Sequence, residues 1–354
     1  MSSTGQPGTR AVRIGSLIVG EGPAVVFAGR PSPAPQADGR VDAPPDGCRV
    51  SLARLRPEDR HDAVAAARAV WDGPLLVEPG SADDLPAVAA HADGVIVSAG
   101  DAGDAGDAGD KALVRTAARL GLPLVVRRGP ASVDEWLAAA AACLDAGAAG
   151  VVLCEDGVRA ADGHLSVDLG LARAARERGG HPVLVSPGDD AGLAAAVVAA
   201  GADGLWLDED APAGHAEAAR EAVVVVGALV REERPAGIPA ARGAIDRADA
   251  ALAVILERRA ALAGVVQRLK PVGGFAGRDL ERERRIVAAM ARRAPRLGEA
   301  RLAPIMKAVI ESGLHLAEEA RSASGENGRE HSPEDRPAGT AGAQALAGGR
   351  QDHD

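Results

Sequence analysis

Three widely spaced cations stand in the C-terminal third of the chain, within an Ala- and Leu-rich helical pattern. Arg259 and Lys270 are eleven residues apart, about three turns of an α-helix, so both are expected on one helix face. Arg242 precedes Arg259 by seventeen residues and falls on a different face, so it must point to a different neighbour. Side chains of this kind bind the carboxylates of an anionic ligand.

A second charged group follows on the next predicted helix. Asp279, Arg282 and Glu283 are spaced i, i+3 and i+4, so they project together from one side of that helix. With the three cations they predict a pocket for a dianionic ligand. The same spacing is also typical of solvated charge on surface helices, and spacing alone leaves both interpretations open.

Three helices position these residues. The first is predicted over Arg242 to Lys270, the second over about Asp279 to Arg292, and the third over about Leu302 to Ala320. Helices of such unequal length form a poor monomeric core, so we expect a bundle completed by a second copy, as a homodimer. An apolar stripe runs along the first helix through Ile245, Leu252, Ile255, Leu256, Leu262, Val266 and Leu269.

The first two thirds of the chain repeat one unit, a short β-branched strand followed by a turn and an Ala-rich amphipathic helix. Near-continuous apolar strands that alternate with helices predict a parallel sheet with a covered outer face, and eight repeats predict a closed (β/α)8 TIM barrel. RIGSLIVGEG before the first strand predicts a small hairpin at the barrel bottom. The eight strand segments are AVVFAG, CRVSLAR, PLLVEP, GVIVSAG, PLVVRRG, GVVLCEDG, PVLVSPG and GLWLDED.

The predicted fold class is therefore an α/β TIM barrel followed by an all-α domain. Prolines and glycines between the two domains predict a linker, and a polar Gly- and Pro-rich end predicts disorder. The DAG triplets after the fourth strand predict a solvated low-complexity loop. The predicted boundaries are a flexible N-terminus at 1–12, the barrel at 13–232, the linker at 233–240, the helical domain at 241–321 and a disordered tail at 322–354.

Composition limits the function classes. The chain has 354 residues and a formal net charge of -10, which argues against nucleic acid or an acidic membrane surface as the main partner. No apolar run approaches the length of a membrane span. Three cysteines, far apart and without a CxxC pair, predict neither a disulfide framework nor a zinc site and fit a reducing cytoplasm.

The helical part resembles the small all-helical class of chorismate mutase. The resemblance covers Ala241 to Glu319 and lies in R-GA-ID-RA-D, then ERR, then a lysine eleven residues after the second arginine, then D-LE-RE. In that family a helical dimer rearranges chorismate to prephenate without metal, cofactor or covalent intermediate. The resemblance implies the same substrate and product, a homodimer through this domain, and no metal or cofactor.

The resemblance also implies roles for the six charged residues. Arg242 reaches the site of the partner subunit, and Arg259 and Arg282 hold substrate carboxylates. Lys270 faces the ether oxygen of the substrate. Glu283 with Asp279 addresses the hydroxyl side.

Two positions depart from the family pattern. The third helix normally presents a Gln or Glu toward the ether oxygen, and alignment places Ala317 there with Glu318 next to it. Lys270 precedes Pro271, which biases the lysine away from helical geometry. A site that only binds a ligand, or only folds, stays open at this point.

The barrel part resembles 3-deoxy-D-arabino-heptulosonate 7-phosphate synthase (DAHP synthase) over about Arg13 to Asp210, through the ends of its strands. That family holds a divalent metal with Cys, His, Glu and Asp. Here the first strand ends in Gly29, Arg30, Pro31 and Ser32 without the Cys; Asp189 stands where His is expected, and Asp208 replaces the Glu. The resemblance therefore implies a barrel that has lost its metal site.

Other barrel positions keep the residue of the family or at least its charge. Arg127 stands at the position of the catalytic lysine, where it keeps the charge but cannot lose a proton as lysine can. Arg128 and Arg159 are retained and could bind a phosphate. Alternatively they pair with Glu155 and Asp168 as a structural remnant.

The sequence favours a chorismate mutase whose inactive DAHP synthase-like barrel acts as a scaffold, a regulator or a docking surface for another shikimate-pathway enzyme. One alternative is an active bifunctional synthase and mutase. A second alternative is a non-catalytic regulatory protein that senses chorismate or prephenate.

Overall fold

The computed structural model describes residues 10–29, 45–102, 108–159, 163, 165–211, 214–231, 233, 235, 237–270, 272 and 274–327. The chain divides into two compact units, Met1–Ala253 and Val254–Asp354, which are described separately. Several predicted features lie outside the described residues. They are the first nine residues, the proline-rich loop that begins at Arg30, the centre of the DAG repeat, Pro271, and the tail from residue 328 onward.

The first unit is built around a closed barrel of eight parallel strands, which confirms the predicted TIM barrel. The strands are β1 (Val12–Ile14), β2 (Leu17–Val19), β3 (Val25–Ala28), β4 (Gly47–Ser51), β5 (Leu75–Glu78), β6 (Gly94–Ser98), β7 (Leu124–Arg127), β8 (Val151–Glu155), β9 (Val158–Arg159), β10 (Leu165–Ser166), β11 (Val183–Val185) and β12 (Gly204–Trp206). Around the barrel the order is β3, β4, β5, β6, β7, β8, β11 and β12, and β12 pairs with β3.

Helices cover the outside of the barrel, and their buried alanines allow close packing on the Val- and Leu-rich strands. A π-helical stretch, Ala222–Val226, lies between the last two of these helices. The helices are α1 (Pro57–Val70), α2 (Leu85–His91), α3 (Ala99–Ala102), α4 (Ala108–Ala118), α5 (Val133–Asp145), α6 (Leu169–Gly179), α7 (Leu193–Ala199), α8 (His215–Glu221) and α9 (Gly227–Val230).

Among the described residues, two hairpins lie outside the barrel sheet. The β1–β2 hairpin places Val12, Ile14 and Val19 in one buried cluster with the inward-facing side chains of the barrel, among them Phe27 and Trp206. This confirms the hairpin that the sequence predicts. The second hairpin pairs β9 with β10 in antiparallel register.

A buried ionic cluster joins the barrel to the segment that leaves it. Asp203, fully buried just before β12, accepts hydrogen bonds from Arg176 Nε at 2.8 Å and from Arg231 Nη2 at 3.2 Å. The backbone N–H of Val183 donates to the same carboxylate at 3.0 Å. Because a buried carboxylate is tolerated only when it is paired and hydrogen-bonded, these contacts fix Arg231 after α9 to the sheet.

The three cysteines are buried thiols in the first unit. Burial raises the pKa of Cys48 to about 12 and that of Cys143 to about 11, and it raises the pKa of Cys154 well above its ordinary value. All three therefore remain protonated at neutral pH.

The helical part contains α10 (Ile238–Leu269), α11 (Leu280–Arg293) and α12 (Gly298–Asn327). In the second unit α11 and α12 pack on each other around Val287, Leu302 and Met306. None of the described helices is both long enough and apolar enough to cross a membrane. Large apolar side chains on the C-terminal part of α10 stay exposed, including Ile255, Leu262, Val266 and Leu269.

Candidate active site

Arg259 lies where α10 meets α12 in the second unit. Its Nη1 donates a hydrogen bond to the carbonyl oxygen of Val309 on α12 at 3.3 Å. Gly313, one turn further along α12, lies beside the guanidinium, and a Cβ there would make an ordinary van der Waals contact with Nη1 at 3.8 Å. Arg259 is half-buried and keeps other N–H groups that a ligand can use.

Lys270 follows directly after the last residue of α10. Its ammonium donates to the carbonyl oxygen of Gly277 at 2.9 Å, which folds the chain between α10 and α11 back over the helix end. Gly277 is required in this turn, because a Cβ would lie 2.2 Å from the carbonyl oxygen of Val272. An ammonium has three donors, so two remain for a ligand.

Asp279 is the N-cap residue of α11. Its carboxylate accepts a hydrogen bond from the backbone N–H of Arg282 at 2.9 Å. That bond is the main cause that lowers the pKa of Asp279, and the charges of Arg285 and Lys270 lower it further. Asp279 therefore stays ionised and supports the start of the helix that carries Glu283.

Glu283 is held by an arginine that the sequence interpretation missed. Arg278 Nε and Nη2 donate to the two oxygens of Glu283 at 3.0 and 2.8 Å, and Arg278 Nη1 donates to Glu311 on α12 at 3.0 Å. The hydrogen bond from Arg278 lowers the pKa of Glu283. The charge run RDLERERR was the only available signal, and it does not reveal which arginine pairs with which carboxylate.

The structure brings some of the predicted residues together. Lys270, Asp279 and Glu283 lie around the turn between α10 and α11, with Lys270 close enough to act on the charge of Asp279. Arg282 projects from the same helix into solvent. Arg242 lies exposed near the start of α10, in the part of the chain that belongs to the first unit.

Glu318 takes part in the same turn from α12. Its Oε1 accepts a hydrogen bond from the backbone N–H of Phe275 at 3.4 Å, and the Phe275 ring lies 5.0 Å from the ring of His315. Ala317, next to it, is half-buried. The α12 carboxylate that reaches the turn beside Lys270 is thus Glu318, one residue after the aligned position.

A groove of about 950 Å³ opens between α11 and α12. Apolar and charged side chains line it together. Its lining includes Val287, Met306, Ile310, Arg285, Glu299 and Lys307.

In the first unit, charged groups at the carboxyl ends of the barrel strands bind one another. Arg127 Nη2 donates to Glu78 at 2.6 Å, and Arg127 Nη1 lies 3.7 Å from Asp156. The hydroxyl of Ser51 donates to the second oxygen of Glu78 at 2.5 Å. Burial raises the pKa of Asp156, and the charge of Arg127 opposes this.

Arg128 and Arg159 have different environments. Arg128 and Glu155 form a buried pair in which Nε and Nη2 of the arginine contact the carboxylate, and Glu155 is 0% exposed. Arg159 lies on the exposed β9–β10 hairpin, where Nη1 donates to the carbonyl oxygen of Gly163 at 3.1 Å. Asp168 caps α6 by accepting from the backbone N–H of Leu171.

The structure describes two of the positions at which the barrel resemblance implies metal ligands, Asp208 and Asp189. Asp208 accepts a hydrogen bond from Arg49 Nη2 at 2.8 Å, and the guanidinium of Arg49 lies 4.6 Å from the ring centre of Trp206. Asp189 is exposed to solvent. Over the described part of the chain, no three His, Cys, Asp or Glu side chains are placed to hold one ion.

A protein-family model matches the helical part. Residues 241–318 match the family model for chorismate mutase type II. All six charged residues selected from the sequence fall within the matched stretch, and Glu318 is its last residue. The match confirms the resemblance of the C-terminal part to chorismate mutase.

Comparison with solved structures concerns the barrel. A truncated form of 3-deoxy-D-arabino-heptulosonate 7-phosphate synthase from Thermotoga maritima aligns with a TM-score of 0.51 and 21% identity, over 64% of this chain and 96% of that chain. A phospho-2-dehydro-3-deoxyheptonate aldolase (DAHP synthase) from Thermotoga maritima aligns with a TM-score of 0.49 and 20% identity, over 64% of this chain and 76% of that chain. The search among curated proteins gave no match. The first alignment shows that the barrel shares the fold of a DAHP synthase.

Proposed function

We propose that this protein is a chorismate mutase, which converts chorismate to prephenate through its C-terminal helical domain. The match of residues 241–318 to chorismate mutase type II carries this proposal. The arrangement of Lys270, Asp279 and Glu283 around one turn, with Arg259 on the adjoining helix face, supports it.

The chemistry suits fixed charges. The rearrangement passes through a compact pericyclic transition state in which the breaking C–O bond places negative charge on the ether oxygen. Cations held in place stabilise that charge, and cations that bind the two carboxylates keep the substrate in its reactive conformer. No proton transfer is needed, and the proposed mechanism uses no metal or cofactor.

The proposed roles follow the charges. Arg259 and Arg282 bind the two substrate carboxylates, and Lys270 donates to the ether oxygen through a hydrogen that does not bind Gly277. Glu283, kept ionised by its hydrogen bonds from Arg278, accepts the hydrogen of the substrate hydroxyl, and Asp279 supports the start of the helix that carries Glu283.

We propose that two copies of the chain form the working unit. The exposed apolar side chains of Ile255, Leu262 and Val266 need a covering surface, and the groove between α11 and α12 offers apolar and charged groups to receive one. In this homodimer Arg242 of each chain completes the site of the other chain.

For the barrel we propose a role as scaffold or regulatory domain rather than as a second enzyme. The observations that support this are the pairing of Arg127 with Glu78, of Arg128 with Glu155 and of Arg49 with Asp208. The barrel would then serve as a docking surface for another shikimate-pathway enzyme, and a cytoplasmic location stays a prediction from the cysteine pattern.

Steady-state kinetics of the full chain with chorismate test the proposal. Arg259→Ala is expected to lower kcat/KM by about 100- to 1000-fold, as for the loss of one charge-stabilising donor, and Arg259→Lys to restore part of it. Arg258→Ala is the matched control, since Arg258 is exposed on the neighbouring helix position. Binding of chorismate without turnover would favour the sensor alternative. Phosphate release from phosphoenolpyruvate and erythrose 4-phosphate, with manganese added, would favour the bifunctional alternative.

A further inference from the structure

One arginine in the helical domain binds carboxylates on both sides and has no role in the proposed catalysis. Arg278 stands between the short turn Phe275–Gly277 and the N-cap Asp279. It uses one edge for both oxygens of Glu283 and its remaining Nη1 for Glu311. The side chains of Arg278 and Glu283 are each 19% exposed, so the pair is largely shielded from water.

We infer that Arg278 is the positioning residue of Glu283, which fixes the orientation of its carboxylate toward the substrate hydroxyl. This inference rests on the proposed mutase function. A bidentate pair constrains both the position and the plane of a carboxylate, whereas an unpaired glutamate near a helix start rotates about three side-chain bonds. The carboxylate oxygens retain lone pairs after binding Arg278, so a hydroxyl can still donate to Glu283.

The contact with Glu311 extends this role to α12. Because Arg278 binds carboxylates on α11 and on α12, the orientation of Glu283 depends on how the two helices pack. Lys307 also lies 4.0 Å from Glu311. The trio of Arg278, Glu283 and Glu311 carries a net negative charge, so Arg278 is unsuited to binding a substrate carboxylate, unlike Arg259.

The kinetic test uses a double-mutant cycle on the full chain. Arg278→Met is expected to lower kcat/KM for chorismate by about 10- to 100-fold, the range for losing a hydrogen bond to a charged group, with most of the loss in kcat. Glu283→Ala with Arg278→Met is expected to be no slower than Glu283→Ala alone. Arg278→Lys should fall between wild type and Arg278→Met, because it keeps the charge and loses the fork.

A substrate analogue without the hydroxyl separates positioning from a general structural effect. If Arg278 acts through Glu283, Arg278→Met should cost less than threefold with that analogue, since the hydroxyl contact no longer exists. Multiplicative losses in the cycle, or an equal loss with chorismate and the analogue, would overturn the inference. Glu311→Gln removes the charge that Arg278 binds on α12 and leaves its pairing with Glu283 in place. If Glu311→Gln lowered kcat/KM as much as Arg278→Met does, Arg278 would serve to connect α11 with α12 and not to position Glu283.

A readout that needs no turnover keeps this inference distinct from the proposed function. NMR titration of the Glu283 carboxyl carbon should show its pKa rising toward the ordinary glutamate value in Arg278→Met, with Asp279 and Glu311 as the other acids in reach. An unchanged Glu283 titration would overturn the inference even if chorismate turnover is strong. Absent turnover with a shifted titration would instead refute the proposed function and leave the Arg278–Glu283 pairing supported.

Discussion

Replacing Glu155 by Gln tests whether the charged groups of the barrel stabilise the fold or form a ligand-binding site. Glu155 is fully buried and Arg128 is 8% exposed, and the two make a two-point contact at the carboxyl end of β8. Arg128 Nη1 is also held by the carbonyl oxygen of Ala131 at 3.1 Å. Glu155→Gln therefore leaves a buried guanidinium that cannot easily move to another acceptor.

The expected loss follows from this burial. Removing one partner of a buried ion pair costs about 3–5 kcal/mol, because the remaining charge stays out of water. A double variant, Glu155→Leu with Arg128→Met, should lie close to wild type or above it, since two apolar side chains of similar size need no partner. The free energy of unfolding should thus fall in the single variant and recover in the double variant.

Tryptophan fluorescence during urea denaturation measures the barrel separately from the helical domain. The chain has three tryptophans, Trp71, Trp136 and Trp206, and all lie in the barrel unit. The single variant should show a lower denaturation midpoint with an unchanged slope.

A ligand-binding role of Arg128 would give a different result. If Glu155→Gln leaves the midpoint unchanged and added phosphate raises it, Arg128 is a ligand-binding arginine and the scaffold proposal for the barrel is wrong. Prephenate formation at a temperature where the variant stays folded should match wild type, because the proposed site lies in the helical domain.

Three further outcomes are expected. Arg242→Ala and Arg259→Ala chains, each inactive alone, should recover about a quarter of wild-type activity when they are mixed and exchange subunits. The reason is that half of the dimers are then mixed, and each mixed dimer holds one intact site out of two. No recovery would contradict a site shared between two chains. Asp203→Asn should lower barrel stability by about 3 kcal/mol or more in the fluorescence assay, since two arginines lose their buried partner. The pKa of Glu283 is lowered in the folded protein, so its pairing with Arg278 stabilises the fold above pH 4.5, and this stabilisation is lost as pH falls through the folded-state pKa. Hydrogen exchange of α11, corrected for intrinsic rates, should show the loss of protection in wild type and not in Glu283→Gln.

Most of the fold could be predicted because its signals are local. The eight strands are short apolar runs separated by Ala-rich helices, and that pattern has one common solution. The start of α10 shows where local signals fail. Pro239 suggests a linker, yet the helix begins at Ile238, because a proline in the first turn gives up an N–H that needs no helical partner. At the other end α12 continues through Asn327, past the predicted domain boundary at 321.

For the candidate site, the sequence predicts which residues share a helix face, but it does not predict which side chains bind each other. Periodicity predicts that Asp279, Arg282 and Glu283 project together from one side of a helix, whereas in the structure Asp279 is the N-cap that precedes α11 and Arg282 is exposed. The pairing of Glu283 with Arg278 could not be predicted, because it also depends on how α12 brings Glu311 into reach. Likewise the contact of Lys270 with Gly277 arises from a turn whose path the sequence does not determine.

The most direct measurement of the central proposal is proton NMR of chorismate incubated with the purified full chain. We expect prephenate as the product, at a rate well above the uncatalysed rearrangement, with the acceleration lost in Arg259→Ala and retained in Arg258→Ala. Chorismate that decays only at the uncatalysed rate, in the presence of correctly folded wild-type protein, would contradict the assignment of mutase activity to the helical domain.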